Sequence, residues 1–330
     1  MNNNIQIGII GYGNLGRGSE VAISRNPDME VIGVFTRRDP ASITPLLETT
    51  KVYPLAELAE FKDHIDVLIL CGGSATDLPQ MTPKLAKHFT VVDSYDNHSK
   101  MAEHFAAVDQ SARAGGHIAI IAAGWDPGLF SLNRALAQAV LPEGKTYTFW
   151  GEGLSQGHSD AVRRLDGVLD ARQYTVPVEA ALAGVRAGEL PELSPRQQHR
   201  RIVYVVAAPG ADLAKIEREI VTMPAYYEPY DTTVHFIDAT TMTAQHAGMA
   251  HAGMVFRSGR TGLSQEHAHL IEYQLKLDSN PEFTASVLVA YARGAHRMAS
   301  AGQVGCKTVF DVAPADLVAI SPEQMRTSWL

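Results

Sequence analysis

The run Ile5–Ile10 gives way at once to Gly11-Tyr-Gly-Asn-Leu-Gly16 and then to a helix-forming stretch. Three glycines in this spacing are common, but between a strand and a helix they do specific work. The first, Gly11, allows a tight turn. The second, Gly13, lets backbone approach a pyrophosphate, and Gly16 lets helix and strand pack closely. The helix start then offers unpaired N–H groups to phosphate oxygens. The segment therefore predicts a dinucleotide site at the head of an α/β domain. The next strand, Val31–Phe35, ends in Thr36-Arg-Arg38. A carboxylate there would accept bonds from a ribose hydroxyl, whereas two guanidiniums suit a 2′-phosphate. Asp39 comes one step too late, and the expected cofactor is NADP.

Further runs, Val67–Cys71, Thr90–Asp93 and His117–Ala122, are apolar throughout, as in a parallel sheet covered on both faces. Helical stretches at Asn14–Arg25, Leu55–Phe61, Asp77–His88 and Ser99–Ala114 separate them. After residue 125 the pattern changes. Ile271, Tyr273, Leu275 and Leu277 alternate with Glu272, Gln274 and Lys276, a strand with one wet face. Thr146–Gly151, Val203–Ala207 and Val234–Asp238 look like its companions, and helices are expected at Gly128–Val140, Val178–Gly188, Ala211–Val221 and Pro281–Ala299. The expected fold class is α/β: a Rossmann-type dinucleotide-binding domain over 1–125, then an α+β domain over 126–299 with a mostly antiparallel sheet. The stretch from about 300 to 330 is a candidate to return to the first domain.

A chain of 330 residues, at about 150 per domain, fits two domains. A net charge of −8 argues against nucleic acid as a partner. The basic cluster Arg196–Arg201 lacks interleaved aromatics and reads as a solvated helix face. No apolar run reaches the roughly 18 residues of a membrane span. The polar start Met1-Asn-Asn-Asn4 carries no signal peptide pattern, and two cysteines suit a reducing compartment. The expected location is the cytoplasm.

Several candidate chemistries fail on inspection. Cys71, in Cys71-Gly-Gly-Ser74, has no neighbouring histidine and suits a small residue passing under the cofactor; Cys306 has less support still. His246, His251, His267 and His269 match no familiar zinc spacing, so no metal is expected. Gly157-His-Ser-Asp160 suggests a hydrolase, but adjacency in sequence is not a triad.

Taken together, the segments resemble those of the meso-diaminopimelate D-dehydrogenase family. The residues that carry this are Gly11–Gly16, Thr36-Arg-Arg38, Cys71-Gly-Gly-Ser-Ala-Thr-Asp77, Val92-Asp-Ser-Tyr-Asp-Asn-His98, Gly124-Trp-Asp-Pro-Gly128 and Thr148-Phe-Trp-Gly151. Gly153-Leu-Ser-Gln-Gly-His-Ser-Asp160, Arg163-Arg164, Gly248-Met-Ala-His251, Leu275–Pro281 and Phe283-Thr-Ala-Ser286 continue the series. The match runs in order from residue 5 to about 312. The resemblance implies an NADP-dependent homodimer that oxidatively deaminates the D-centre of meso-2,6-diaminopimelate. Its products would be L-2-amino-6-oxopimelate and ammonia, in a reversible reaction serving lysine and cell-wall precursor synthesis. It implies cofactor contacts at Gly11, Tyr12, Gly13, Asn14, Leu15, Gly16, Thr36, Arg37, Arg38, Cys71, Gly72, Gly73 and Ser74. Ser94, Tyr95, Asp96, Ala123, Gly124, Trp125, Asp126 and Pro127 complete that set. Substrate contacts would be Asp96, Asp126, Trp150, Gln156, Gly157, Thr175, Arg201, His251 and Asn280. The family commonly carries Ser where Thr36 stands and Met where Gly72 stands.

Residue chemistry reads the same positions less narrowly. Asp96 and Asp126 follow strands, at the rim where open α/β sheets bind ligands, and suit an ammonium and its proton. Asp126 also precedes Pro127 and an apolar helix, which suits an N-cap, and Asn280 before Pro281 shares that ambiguity. Arg201 suits a distal carboxylate or a wet surface. His251 reads as a loop histidine, and Trp150 as substrate packing or sheet core. For the base, Asp96, Asp126, His158 and a bound water stay open. Other NADP-dependent two-domain oxidoreductases, such as dihydrodipicolinate reductase or an amino-acid dehydrogenase, and a non-catalytic NADP-sensing regulator are the competing readings.

Overall fold

The structure, a computed structural model, describes residues 4–330; the polar start at Met1–Asn3 lies outside them. The chain divides into two compact units, Met1–Leu132 with Pro281–Leu330, and Asn133–Asn280.

In the first unit the apolar runs form a seven-stranded sheet. From one edge its strands are Gly305–Lys307, Ile118–Ile120, Val91–Asp93, Val67–Leu70, Ile5–Ile10, Met29–Thr36 and Val52–Pro54. Every neighbouring pair is parallel. The chain order reverses between Ile5–Ile10 and Val67–Leu70, so the ligand crevice of such a sheet lies at their carboxyl ends. Ile7, Ile9 and Ile69 fill one face with Leu288, Tyr291 and Ala292. Phe35, Leu68 and Leu70 fill the other with Leu78, Val108 and Ala112. The helix Asn280–Ser300 thus covers the first sheet rather than closing the second domain, and the expected span 126–299 is corrected accordingly. Its apolar face sets what it covers only after folding; periodicity shows the face and not the partner. Arg293 fastens that helix: it gives Asp28 hydrogen bonds of 2.7 and 2.8 Å and reaches Asn26 and the Leu317 carbonyl, each at 2.7 Å. The stretch Leu55–Phe61, expected as a helix, is a 3-10 segment.

The second unit holds two sheets where one was expected. Asp231–Phe236, His199–Ala207, Val168–Pro177 and Gly153–Leu154 form the first. His267–Leu277, His251–Thr261 and Gly144–Gly151 form the second, wholly antiparallel one. In the first only His199–Ala207 with Asp231–Phe236 is parallel. Val168–Pro177 and His251–Thr261 are strands that neither alternation nor a clean apolar run announces in the sequence. Among the described residues no helix is long and apolar enough to cross a membrane.

Candidate active site

Gly11, at φ +89°, turns the chain between the strand Ile5–Ile10 and the helix Asn14–Ser24. At Gly16 a Cβ would run into the Gly11 carbonyl oxygen, so the helix can approach its own turn only with glycine there. Among the described residues no side chain caps the helix start at Gly13. Tyr12 is held from beneath: its hydroxyl donates to buried Glu20, and the Leu46 N–H reaches both groups, at 2.9 and 3.0 Å. Desolvation and the Glu20 bond push the Tyr12 hydroxyl up to about 12.

A cavity of about 280 Å³ opens beside Gly11, Gly13, Thr36, Arg37, Arg38 and Gly73. Arg37 pairs with Asp77 at 2.7 Å, and Arg38 donates to the Tyr12 carbonyl at 2.7 Å. Asp39 accepts the Ala41 N–H at 3.0 Å and is occupied with its own turn. An uncapped helix start, an open glycine turn and two guanidiniums at one strand end fit a 2′-phosphorylated dinucleotide. Burial pushes the Cys71 thiol, 3.6 Å from the Ser19 hydroxyl, up to about 12, which removes it as a nucleophile. The Asp96 N–H donates to Ser74 Oγ at 2.9 Å, which joins two loops of the expected cofactor set.

The helix after the Ala123–Pro127 segment begins only at Leu129. Asp126 therefore lies too far upstream to be its N-cap, and that reading is corrected. Asn280 is itself the first residue of its helix, and its N–H donates to the Met249 carbonyl at 3.0 Å.

In the second unit Thr175 and Arg201 face each other across neighbouring strands. Arg201 Nη1 donates to the Thr175 hydroxyl, and its guanidinium lies 4.0 Å from the Tyr230 ring centre. The side chain is only 8% exposed, and among the described residues its Nε has no hydrogen-bond partner and no carboxylate is paired with it. The cluster read as a solvated helix face thus sends His199 and Arg201 inward, because the short helix Pro195–Gln198 ends and a strand begins at His199. Gly153 pairs with Thr175, and a Cβ on Gly153 would strike the His251 ring, so that ring lies close by. His251 opens the strand His251–Thr261 instead of lying in a loop. The Trp150 N–H donates to His199 Nε2 at 2.9 Å, with the two rings 5.6 Å apart. Gln156 and Gly157 form the exposed start of the helix Gln156–Arg163, which also carries His158. His158 Nδ1 lies 2.7 Å from Ser155 Oγ. Burial, then the Arg201 charge, pulls both His158 and His199 down to about 4.

Comparison with known proteins decides the family. The model of the diaminopimelic acid dehydrogenase C-terminal domain matches residues 124–279. The meso-diaminopimelate D-dehydrogenase of Acetivibrio thermocellus is 55% identical, covering 99% of this chain and 98% of its own. That of Corynebacterium glutamicum is 47% identical, covering 98% and 97%. The chain belongs to the meso-diaminopimelate D-dehydrogenase family. A solved C. glutamicum DAP dehydrogenase in complex with DAP is similar at a TM-score of 0.91 and 46% identity, over 99% of this chain and all of that one. An engineered D-amino acid dehydrogenase bound to NADP+ is similar at 0.85 and 44%, over the same shares.

For a member of this family, the structure gathers the expected residues in part. Gly11–Gly13, Thr36–Arg38 and Cys71–Gly73 line one cavity. Gly153 links Thr175, with its Arg201 partner, to His251. Four polar residues escaped the sequence reading: Asp93, Gln173, His199 and Tyr230. Asp93 had a signal, an acid closing the apolar run Val91–Val92 and having to be buried with it. Gln173, 0% exposed beneath Thr175, had none, since a polar residue in a strand reads as wet.

Proposed function

We propose that the chain catalyses the NADP-dependent oxidative deamination of meso-2,6-diaminopimelate at its D-centre, yielding L-2-amino-6-oxopimelate and ammonia. The observation that carries this reading is Arg201, a buried guanidinium with an orphaned Nε and, among the described residues, no acid beside it. A buried cation of this kind is uncompensated until an anion reaches it. A substrate with a carboxylate at its non-reacting end supplies one, with Thr175, His251 and Asn280 as companions.

At the other end the substrate's ammonium must lose a proton before its lone pair can drive hydride from the carbon. Asp96 and Asp126 suit both tasks: they attract the ammonium and accept its proton. His158 is the weaker candidate, since burial and Arg201 both oppose a charge on its ring. NADP, when bound, accepts the hydride. Water then adds to the substrate imine and ammonia leaves. Trp150 would offer an apolar wall for the methylene chain, and Gln156 and Gly157 are further substrate contacts in this reading. The full-length likeness to the family favours this reaction over the reductase, other dehydrogenase and regulator readings.

We further propose a homodimer working in the cytoplasm. The strand His267–Leu277 stands at the edge of its sheet with Ile271 and Leu275 half-buried on one face, and an edge of this kind suits pairing with a second copy. Light scattering should give twice the mass of the chain, and a monomer at micromolar concentration would refute the pairing.

The function is tested by NADPH absorbance on mixing the protein and NADP with meso-diaminopimelate, aspartate or glucose, and the protein and NADPH with dihydrodipicolinate. NADP reduction with meso-diaminopimelate alone is expected. Faster NADP reduction with aspartate or glucose, or faster NADPH oxidation with dihydrodipicolinate, would overturn the assignment.

A further inference from the structure

Asp93 is 0% exposed and closes the strand Val91–Asp93, immediately ahead of Ser94, Tyr95 and Asp96. Its Oδ1 accepts two backbone N–H groups, from Tyr95 at 3.0 Å and from Ala122 at 3.1 Å. Its Oδ2 accepts the Thr82 hydroxyl at 2.6 Å and lies 3.2 Å from His104 Nε2. Its backbone carbonyl accepts the Ala123 N–H at 2.9 Å. The His104 ring, itself buried, stacks on Tyr95 with centroids 3.9 Å apart. One side chain thus reaches the first residues of both loops, the one that carries Asp96 and the one that carries Asp126.

The second loop needs holding. Ala122 stands at φ +57°, a left-handed conformation that a residue with a Cβ adopts only at a cost. Its N–H is the one that Asp93 receives, directly before Ala123–Pro127. A strained turn persists only where its surroundings over-determine it. Here the surroundings are a carboxylate oxygen and a carbonyl oxygen of the same residue.

We propose that Asp93 is a positioning residue: its carboxylate locks the Tyr95 and Ala122 amides together and so fixes the separation of Asp96 and Asp126. The proposal rests on the reading of those two aspartates given above. It separates charge from geometry. The Asp93→Asn substitution keeps an acceptor at Oδ1, while Thr82 can reverse its hydroxyl and His104 its tautomer. Alanine would keep nothing.

The test measures kcat with meso-diaminopimelate, NADP affinity by fluorescence and thermal unfolding for Asp93→Asn, Asp93→Ala and Asp93→Ala with Ala122→Gly. Asp93→Asn should hold kcat within about threefold, and Asp93→Ala should lose at least about tenfold. Ala122→Gly should return at least about threefold of that loss, because glycine enters the left-handed turn without help. A folded Asp93→Ala variant with wild-type kcat overturns the proposal, and so does a loss that Ala122→Gly does not relieve. Should Asp93→Ala not fold, Ala122→Val carries the test. A β-branched side chain resists the turn, so kcat should fall about tenfold, and an unchanged kcat overturns the proposal. Asp126→Asn is measured alongside. Wild-type turnover there sinks the reading of the paired aspartates; a large loss there with Asp93→Ala unimpaired sinks only the role of Asp93.

Discussion

Arg293 and Arg201 are both buried, at 3% and 8% exposure, yet their guanidiniums meet different surroundings. In the nucleotide-binding unit Arg293 meets the Asp28 carboxylate, the Asn26 side chain and the Leu317 carbonyl. Its bond and charge hold the Asp28 carboxyl below the usual carboxylate range, against the opposing pull of partial burial. In the other unit Arg201 meets a hydroxyl and an aromatic face, and one of its nitrogens is left over. Gln173 nearby has an orphaned Oε1 as well. The first unit also carries a buried orphan, the Tyr291 hydroxyl, but that is neutral and set in an apolar core. A buried cation that folding leaves unmatched marks where an anionic ligand completes the structure. A matched one marks a fastening.

Exchanging each arginine for methionine should separate the two roles. Arg201→Met should cost about 2–5 kcal/mol in kcat/KM for diaminopimelate, the loss of a charge-assisted pair that leaves the ligand carboxylate desolvated. NADP affinity should hold. Thermal unfolding should stay level or rise, since an unpaired buried charge is being removed. A stable variant with unchanged kcat/KM would return Arg201 to a structural role.

Arg293→Met should do the reverse. It strips Asp28 of its partner and frees the helix Asn280–Ser300 from the Asn26–Asp28 turn, a loss of about 3 kcal/mol by denaturant titration. The kcat of the folded fraction should stay near wild type. Equal damage to kcat at full stability would erase the contrast.

Acid should expose the second unit's burden more gently. Folded His199 stays neutral down to about 4, against an ordinary value of 6.5. Over that window the unfolded state binds more protons, so stability falls as pH drops from about 6.5 towards 4. For one fully buried ring the total is at most about 3 kcal/mol. Denaturant midpoints should therefore decline on acidification, and His199→Asn should flatten the decline. An unchanged slope would place the acid sensitivity elsewhere.

The smallest expected effect lies at the cofactor cavity, where Arg37 and Arg38 are exposed. Arg37→Ala with Arg38→Ala should weaken NADP binding about tenfold and leave NAD binding near its starting value. Equal losses for both cofactors would mean that the arginines do not read the 2′-phosphate.

The nucleotide-binding unit was legible because each of its signals is local. Strand, glycine turn and helix follow one another in sequence, and buried parallel strands are apolar throughout. The strand Val168–Pro177 was missed for the opposite reason. Its buried positions are Ala171, Gln173, Thr175 and Pro177, so alternation reads as polar where the chain is in fact hidden. The polar groups on that buried side, Gln173 and Thr175, are the ones beside Arg201 in the proposed site. His251–Thr261 is buried over most of its length and ends in charged and polar residues, so neither alternation nor a clean apolar run announced it. The family resemblance supplied Arg201 and Thr175. It could not supply Tyr230 or the buried amide of Gln173, which only the fold brings to them.

Stereochemical discrimination is the most direct trial of the central claim that separate anchors hold the two ends of the substrate. The meso compound presents one D and one L centre of identical composition, so only placement distinguishes them. If, as proposed, Arg201, Thr175, His251 and Asn280 bind the L end and Asp96 and Asp126 the D end, a reversed ligand leaves polar groups unpaired and turns the wrong hydrogen forward. Steady-state kcat/KM should be compared for meso- and LL-diaminopimelate, with the stereochemistry of the amine left in the product determined. The account predicts a ratio on the order of 10⁴ in favour of the meso isomer and a product that keeps its L amine. Comparable values for the two isomers, or loss of the L amine, would contradict it.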